Sequence, residues 1–201
     1  MITIVDYGMG NLGSIQNMFK RIGIDSQITG DLDAIDSATK ILLPGVGAFD
    51  SAMQRMNESG MRDVLHRKCI VQKTPILGIC LGMQLLTNGS EEGSIAGLGW
   101  IDAFAFKFPC IAGLKVPHMG WNDVHSKNHS PLTIGVGIES RFYFVHSYYV
   151  RAKRDADVIL QSHYGVTFDA AIGCENIYGA QFHPEKSHKF GMRVLANFAR
   201  V

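Results

Sequence analysis

One short segment has the residue types and spacing of a nucleophilic catalytic turn. Cys80 stands in PILGICLGMQLL (75–86), where flanking glycines spell G-x-C-x-G. This is the thiol counterpart of the G-x-S-x-G turn that lifts a nucleophile above a sheet. The helix expected directly after Cys80 points the positive end of its dipole at the sulfur and favours the thiolate. A buried core cysteine is the alternative, but two glycines at these positions favour the nucleophile.

A thiolate nucleophile needs a base and a group that orients the base. Of eight histidines, His183 in YGAQFHPEKS (178–187) is the best candidate, because Glu185 follows two residues later and Pro184 fixes the backbone between them. Residues i and i+2 of an extended segment project to the same side, so Glu185 can hold His183 as the acidic member of a triad does. Taken alone, the segment could equally be a surface turn. Together with Cys80 it predicts a Cys-His-Glu triad.

Acyl transfer also requires hydrogen-bond donors for an oxyanion. The segment LLPGVGAF (42–49) follows a strand pattern, and Gly45 and Gly47 would let backbone N–H groups face a ligand. The amide of Leu81, directly after Cys80, is the second natural donor. Without the Cys80 turn, an ordinary turn or a phosphate-binding loop would explain the glycines as well.

The first residues of the chain suggest a different chemistry. In MITIVDYGMGNLGSIQ (1–16), Gly8, Gly10 and Gly13 form G-x-G-x-x-G after a strand pattern, and Asp31 or Asp33 follows. A dinucleotide-binding turn has this spacing, with an acidic residue roughly 20 positions on. The second half of the chain, however, shows no companion mononucleotide-binding unit. We therefore interpret the glycines as a tight strand-to-helix turn.

The elements that must position these residues follow two patterns. Up to Gly89 strands and helices alternate, as parallel βαβ units require, and beyond it short segments rich in aromatic and β-branched residues indicate antiparallel strands. The predicted strands are 2–7, 24–29, 40–45, 75–80, 102–108, 141–150, 157–164, 166–172 and 177–182. The predicted helices are 11–22, an interrupted stretch over 53–65, 81–86 and 187–199. Together they predict an α/β, three-layer domain with a central mixed, mostly parallel sheet, over residues 1–201.

Composition narrows the possible partners. The chain has 201 residues, of which 46% are apolar, and its net charge is +1 without a lysine or arginine block. Such a balance argues against nucleic-acid and membrane-surface binding. Four cysteines without a CxxC pair or a Cys/His cluster indicate neither a metal site nor disulfides. No signal peptide or membrane segment is recognisable, so a cytoplasmic protein with reduced thiols is expected.

Several separated motifs resemble one family. PGVGAF (44–49), GICLGMQ (78–84) and FHPEKS (182–187), in that order, are similar to the class I (triad) glutamine amidotransferases. KVPHMGWN (115–122) and YFVHSYYV (143–150) resemble the glutaminase subunits of imidazole glycerol phosphate synthases within that family. The resemblance runs the full length of the chain.

The resemblance implies a role for particular residues. Cys80 would be the nucleophile, His183 the general acid and base, and Glu185 its orienting partner. The peptide N–H groups of Val46, expected in a strand, and of Leu81 would stabilise the oxyanion. The residues expected to hold glutamine are Gly47, Gln84, Ser147 and Tyr148. The family chemistry requires no cofactor and no metal.

The resemblance also implies a protein partner. Free ammonia would be lost to water, so the glutaminase is expected to form a heterodimer with a cyclase subunit that makes imidazole glycerol phosphate and an aminoimidazole carboxamide ribotide. Asn11 and Ser14 are expected near the ammonia exit, and a loop facing the partner is expected to contain His118, Met119, Gly120, Trp121 and Asn122. Two alternatives remain open, namely a paralogous glutaminase that feeds a surface-sugar amidotransferase and a non-catalytic binding scaffold.

Overall fold

The computed structural model describes residues 1–201 and is built on one large sheet. The strands are β1 (Ile2–Val5), β2 (Ser26–Thr29), β3 (Ile41–Leu43), β4 (Ile76–Ile79), β5 (Ala103–Lys107), β6 (His118–Asp123), β7 (His125–Ser126), β8 (Arg141–His146), β9 (Tyr148–Ala152), β10 (Val158–Tyr164), β11 (Val166–Cys174) and β12 (Ile177–Ala180). The helices are α1 (Leu12–Arg21), α2 (Leu32–Asp36), α3 (Phe49–Glu58), α4 (Met61–His66), α5 (Leu81–Leu85) and α6 (His188–Phe198). A π-helical turn, Arg67–Val71, continues α4. No helix has the length and apolar character needed to cross a lipid bilayer.

The central sheet has eight strands in the order β2-β1-β3-β4-β12-β11-β10-β7. The five strands from β2 to β12 pair in parallel, and β11, β10 and β7 continue the sheet antiparallel. Every residue of β1, β4 and β12 is buried, as expected for parallel strands that are covered on both faces. The predicted mixed, mostly parallel sheet is confirmed.

Two apolar clusters cover the two faces of this sheet. Successive residues of β1 belong to different clusters, since side chains alternate across a strand: Ile4 packs with α1 and α6, and Val5 with α3 and α4. Large aromatic side chains such as Phe49 on one face and Phe198 on the other are fully buried. The sheet between two helical layers gives the predicted three-layer arrangement.

The glycines after β1 make the predicted turn into α1. Gly8 and Gly10 have φ angles of +81° and +116°, which residues with a side chain rarely adopt. Asn11 caps α1, because its side chain accepts a hydrogen bond from the amide of Ser14 at 3.4 Å. Asp31, which the dinucleotide pattern would assign to a ribose, caps α2 instead and accepts from the amide of Ala34 at 2.8 Å.

Two predicted elements are corrected. The strand predicted over 141–150 is divided at Ser147, because β8 pairs with β6 while β9 pairs with β5 in a separate two-stranded sheet. The segment KVPHMGWN, predicted as a loop, contains strand β6, which pairs residue by residue with β8 from His118↔His146 to Asp123↔Arg141. The glycine at position 120 is a residue type typical of turns, which is why the sequence did not indicate a strand here. In the structure Gly120 lies within β6 with φ of +133°.

Candidate active site

Cys80 occupies a strained turn between the end of β4 and the start of α5. Its backbone has φ of +54° and ψ of −111°, and its side chain is buried. A residue other than glycine is held in such a conformation only when its surroundings require it, and such residues cluster at functional sites. A Cβ atom on Gly82 would lie 2.0 Å from the carbonyl oxygen of Leu43, and one on Gly78 would lie 2.6 Å from that of Gly82. The flanking glycines are therefore required by close backbone packing.

Gly82→Ala tests this packing. The new methyl group would meet a backbone oxygen of β3, which cannot move without disturbing the sheet, so we expect the free energy of unfolding to fall by roughly 1–3 kcal/mol or more. Urea unfolding monitored by circular dichroism measures the change. Gly13→Ala in α1 is the matched control, because a Cβ there meets nothing within 4 Å. Equal unfolding midpoints for the two variants would contradict the steric argument.

His183 and Glu185 form a buried pair beside Cys80. The distance from His183 Nδ1 to Glu185 Oε1 is 2.8 Å, and both side chains are almost fully buried. Since a carboxylate oxygen accepts, Nδ1–H donates, which leaves Nε2 as the basic atom of the neutral ring. His183 Nε2 makes no hydrogen bond within the chain. This nitrogen is available to exchange a proton with the nucleophile or with a leaving group.

The electrostatics of the pair favour a protonated His183. Burial lowers the pKa of His183, but the neighbouring Cys80 and the Glu185 carboxylate outweigh burial and raise this pKa to about 10. The imidazolium is thus the stable form while Cys80 and Glu185 are charged. A thiolate and an imidazolium side by side are what nucleophilic attack by sulfur requires.

The segment that follows β12 fixes the position of His183. The amide of His183 donates to the carbonyl oxygen of Tyr143 at 2.9 Å. The hydroxyl of Ser187 donates to the carbonyl oxygen of His183 at 2.6 Å and accepts from the amide of Tyr143 at 2.9 Å. Because Tyr143 lies in β8, this strand and the His183–Ser187 turn hold each other in place.

A chain of amide side chains leads from Cys80 to β9. Gln181 Nε2 lies 3.7 Å from Cys80 Sγ, and its Oε1 accepts from Gln84 Nε2 at 3.1 Å. Gln84 Nε2 also donates to the carbonyl oxygen of Tyr148 at 3.2 Å. Because a backbone carbonyl can only accept, these contacts fix the orientation of the Gln84 amide and leave its Oε1 free for a ligand.

These residues surround a cavity of about 310 Å³. The cavity brings together the predicted nucleophile, base, oxyanion donors and glutamine-binding residues, while Glu185 lies behind His183. The lining residues are Val46, Gly47, Cys80, Leu81, Gln84, Glu92, Pro117, Val145, His146, Ser147, Tyr148 and His183. The volume suits a small amino acid rather than a dinucleotide.

Glu92 lines the cavity and was not predicted from the sequence, and the same holds for Pro117, Val145 and His146. Its Oε2 accepts a hydrogen bond from the amide of Phe49 at 2.9 Å, at the start of α3. The neighbouring Glu91 instead accepts from the amide of Lys107, so the chain contains two adjacent carboxylates of which only one faces the cavity. Adjacent glutamates in an irregular segment carry no signal that would distinguish them before the fold is known.

The loop expected to supply the oxyanion donor begins directly after β3. Val46 lies in this loop and not, as expected, in the strand, because β3 ends at Leu43. The hydroxyl of Tyr7 donates to the carbonyl oxygen of Pro44 at 2.7 Å, and burial raises the Tyr7 pKa far above its usual value. Tyr7 therefore remains a neutral donor that ties β1 to this loop.

Strand β6 divides the residues predicted to face a partner. Met119 and Trp121 are 62% and 46% exposed, whereas His118 is buried on the opposite face of the strand. This burial corrects the expectation that His118 lies near the surface. Asn11 is exposed at the end of the first turn, where Gly10 packs against Pro44 of the loop beside the cavity.

Comparison with known proteins links this site to one enzyme family. The model of the family "Glutamine amidotransferase class-I" matches residues 3–201. A Methanococcus maripaludis protein named imidazole glycerol phosphate synthase subunit HisH 2 is 52% identical over 200 residues, covering 100% of this chain and 99% of that protein. A Pseudomonas aeruginosa protein of the same name is 47% identical, with full coverage of both.

Solved structures support the same fold. A structure titled PurLQS from Thermotoga maritima superposes with a TM-score of 0.76 at 18% identity, covering 99% of this chain and 97% of that one. A crystal structure titled glutamine amidotransferase gives a TM-score of 0.75 at 17% identity, covering 100% and 98%. At this level of identity the likeness concerns the three-layer fold alone.

Proposed function

This chain belongs to the class I glutamine amidotransferase family, and from that premise we propose that it is the glutaminase subunit of an imidazole glycerol phosphate synthase. The observation that carries the proposal is that Cys80 and His183 line one cavity while Glu185 holds His183 through a hydrogen bond. The names of its relatives supply the synthase. In this role residues 1–201 act as one domain that hydrolyses glutamine to glutamate and ammonia in histidine biosynthesis.

The cavity offers complementary groups to the two ends of glutamine. The Glu92 carboxylate and the free Oε1 of Gln84 lie on its wall and suit the α-ammonium group, since both only accept hydrogen bonds. Backbone groups of Gly47, Ser147 and Tyr148 hold the α-carboxylate and the side chain. The γ-amide then lies against Cys80, with the amides of Val46 and Leu81 as oxyanion donors.

Acylation begins with the Cys80 thiolate. Its Sγ attacks the Cδ carbon of glutamine, and the electron pair of the carbonyl moves to the oxygen, which the oxyanion donors stabilise. When the carbonyl re-forms, the C–N bond breaks, and His183 Nε2–H gives its proton to the leaving nitrogen. The products of this half-reaction are ammonia and a γ-glutamyl thioester on Cys80.

Deacylation uses the same groups in reverse. The now neutral His183 Nε2 takes a proton from a water molecule as the water oxygen attacks the thioester carbon. The C–S bond breaks, glutamate leaves, and the thiolate–imidazolium pair is restored. Glu185 holds the Nδ1–H tautomer of His183 through its 2.8 Å hydrogen bond throughout.

The ammonia passes to a cyclase subunit that forms a heterodimer with this chain. Met119 and Trp121 are exposed apolar side chains on β6, the strand that pairs with β8, and aromatic and methionine residues are enriched at the centres of interfaces. Gly120 and Asn122 lie on the same strand, Asn11 ends the turn beside the cavity loop, and Ser14 lies in the first turn of α1. We place the ammonia exit at this turn. We also propose that the protein acts in the cytoplasm, because the reaction needs a reduced Cys80.

The proposal is tested by measuring glutamate release from glutamine with and without the cyclase subunit. We expect release to increase when the cyclase is present, and the complex to form imidazole glycerol phosphate from the ribonucleotide substrate with glutamine as the nitrogen source. The same assay with a sugar amidotransferase in place of the cyclase tests the alternative acceptor: if the sugar amidotransferase stimulates glutamate release and the cyclase does not, the ammonia is delivered to the sugar amidotransferase. A chain that binds glutamine without releasing glutamate in any mixture would be a scaffold.

Glu92→Gln tests the assignment of the ammonium-binding carboxylate. The variant keeps the hydrogen bond to the Phe49 amide but loses the charge, so we expect the KM for glutamine to rise by about 10- to 100-fold with a smaller change in kcat, since hydrogen bonds to charged groups contribute roughly 1.5–3 kcal/mol. Steady-state kinetics of the complex measures both constants. Glu91→Gln, on the neighbouring carboxylate, is the control and should leave the KM unchanged; equal effects of the two substitutions would refute the assignment.

A further inference from the structure

A pair of buried histidines adjoins the cavity but is not part of the triad. His118 Nδ1 and His146 Nε2 are 2.9 Å apart, on directly paired positions of β6 and β8. The ring of His118 is stacked between those of Tyr164, at 4.1 Å, and Phe144, at 4.9 Å. His146 lines the cavity. Two adjacent imidazoles inside an aromatic cluster must be well satisfied by hydrogen bonds to be tolerated.

The surrounding partners determine the proton positions of both rings. His146 Nδ1 lies 2.8 Å from the carbonyl oxygen of Tyr148, which can only accept, so His146 carries its proton on Nδ1. His146 Nε2 is then an acceptor, and His118 donates to it from Nδ1. His118 Nε2 in turn accepts from Asn122 Nδ2 at 3.2 Å. Every hydrogen bond in the row therefore points in one direction, from Asn122 to Tyr148.

The amide of Asn122 sets the direction of the row. Its Nδ2 also donates to the carbonyl oxygen of His163 at 2.9 Å, and its Oδ1 accepts from the amide of Asp123 at 2.8 Å. The side-chain amide cannot be reversed without losing both bonds. Burial lowers the pKa of His118 to about 4 and of His146 to about 3, so both rings are neutral near pH 7 and each carries one proton.

The row ends on the backbone that forms one wall of the glutamine site. The carbonyl oxygen of Tyr148 accepts both from His146 and from Gln84. Tyr148 follows Ser147, the residue at which the chain leaves β8 for β9 and changes its partner strand. Strand pairing holds the backbone on one side, because Tyr148 pairs with Lys107 of β5 and the carbonyl oxygen of Ser147 accepts from the amide of Phe108 at 3.2 Å. The two hydrogen bonds on the Tyr148 carbonyl oxygen tie this backbone to His146 and Gln84 and also fix which way the Gln84 amide faces.

We propose that His146, held in its Nδ1–H tautomer by His118, is a positioning residue that sets the Tyr148 backbone and the Gln84 amide for glutamine binding. Its two hydrogen bonds go to His118 and to the Tyr148 carbonyl oxygen, not to Cys80 or His183. Loss of its donor should therefore weaken glutamine binding while leaving the reactivity of Cys80 intact. This inference rests on the proposed glutaminase function.

The test compares variants of His146 in the complex with the cyclase. His146→Phe keeps an aromatic ring but removes the Nδ1–H donor, and we expect the KM for glutamine to rise about tenfold with kcat changed less than about threefold, the effect of one lost hydrogen bond of roughly 1.4 kcal/mol. His146→Asn places an amide N–H near the Nδ1 position and should restore most of the KM. His118→Phe, which frees the His146 tautomer, should raise the KM in the same direction.

Two further measurements separate a positioning role from a structural one. Tyr164→Phe is the matched control, because it keeps the ring stacked on His118. It removes only the hydrogen bond from the Tyr164 hydroxyl to the carbonyl oxygen of Lys115, at 2.7 Å, and this bond is not part of the row from Asn122 to Tyr148. The variant should leave the KM unchanged. Alkylation of Cys80 by iodoacetamide should proceed at the wild-type rate in His146→Phe, while labelling by the glutamine analogue 6-diazo-5-oxo-L-norleucine should slow about tenfold at subsaturating analogue, the same fold-change as that expected for the KM.

The outcomes distinguish failure of the proposed glutaminase function from failure of the positioning role of His146. A wild-type chain that is not labelled by the analogue at Cys80 would overturn the proposed function itself. If the wild type is labelled, an unchanged KM in His146→Phe would overturn the positioning role. A KM increase in Tyr164→Phe as large as in His146→Phe, or no recovery in His146→Asn, would attribute the effect to general disruption of the aromatic cluster and would also overturn it.

Discussion

Cys80→Ala is expected to abolish glutamine hydrolysis, with kcat falling by at least roughly 10⁴-fold, because Cys80 is the only cysteine among the residues that line the cavity and the acyl intermediate forms on its sulfur. Gln181, whose Nε2 lies 3.7 Å from Sγ, is a neutral amide, and His183 is needed for proton transfer. Glutamate release from the stimulated complex measures the loss. Ammonia supplied as an ammonium salt should restore formation of imidazole glycerol phosphate by the variant complex, since the cyclase then needs no glutaminase.

The fold of the variant should be preserved. Alanine at position 80 meets the same backbone strain at φ of +54° as cysteine does, so the unfolding midpoint should change little. Cys110→Ala is the matched control, because Cys110 is an exposed free cysteine away from the cavity, and it should keep full activity. Stimulated glutamate release by Cys80→Ala at more than a small fraction of the wild-type rate would contradict a nucleophilic role for Cys80.

Glu185→Gln is expected to lower kcat by about 10²- to 10⁴-fold with little change in the KM for glutamine. The glutamine side chain can still reach His183 Nδ1, but it carries no charge and can present an N–H group that would force the wrong tautomer. Steady-state kinetics in the complex measures the effect. Glu175→Gln, which removes an exposed carboxylate paired with Lys73, is the control and should behave as the wild type.

The pH dependence of Glu185→Gln follows from the sign of the shift in His183. Its pKa is lowered by burial and raised, to about 10 in all, by Cys80 and Glu185. The proton that His183 gives to the leaving nitrogen is retained until the pH rises through that raised value. Removing the carboxylate removes one raising contribution, so the alkaline limb of kcat/KM should move to lower pH. An alkaline limb that stays in place would show that Glu185 does not support the imidazolium.

Local patterns were sufficient to predict the parts of the fold and site whose causes are local. Glycines at positions 78 and 82 are required by backbone contacts within one turn and the adjacent strand end, and their spacing is visible in the sequence. The spacing of two residues between His183 and Glu185 likewise allowed their hydrogen bond to be predicted, because both side chains of an extended segment with this spacing project to the same side. Apolar runs in β1 and β4 identify buried parallel strands without reference to anything distant. Cap residues such as Asn11 are also defined by their own neighbours.

The features that were not predicted depend on contacts between distant segments. Strand β6 forms because β8 supplies its hydrogen bonds. The glycine inside its sequence, HMGWND, is a residue type that favours a turn when the segment is read alone. Glu92 faces the cavity because the start of α3 binds its carboxylate across 43 positions of the chain. His118 is buried because the alternation of β6 turns it inward beside His146. Sequence spacing carries none of this information before the strands are paired.

A rapid-quench experiment on the complex tests most directly whether Cys80 is the nucleophile. The glutaminase is mixed with glutamine, the reaction is stopped with acid within the first turnovers, and the intact chain and its peptides are examined by mass spectrometry. A γ-glutamyl adduct is expected on the peptide that contains Cys80, formed and consumed at rates that match glutamate release, and no adduct is expected in Cys80→Ala. Glutamate release at the full rate without an acylated Cys80, or with the adduct on another residue, would contradict the nucleophilic role of Cys80.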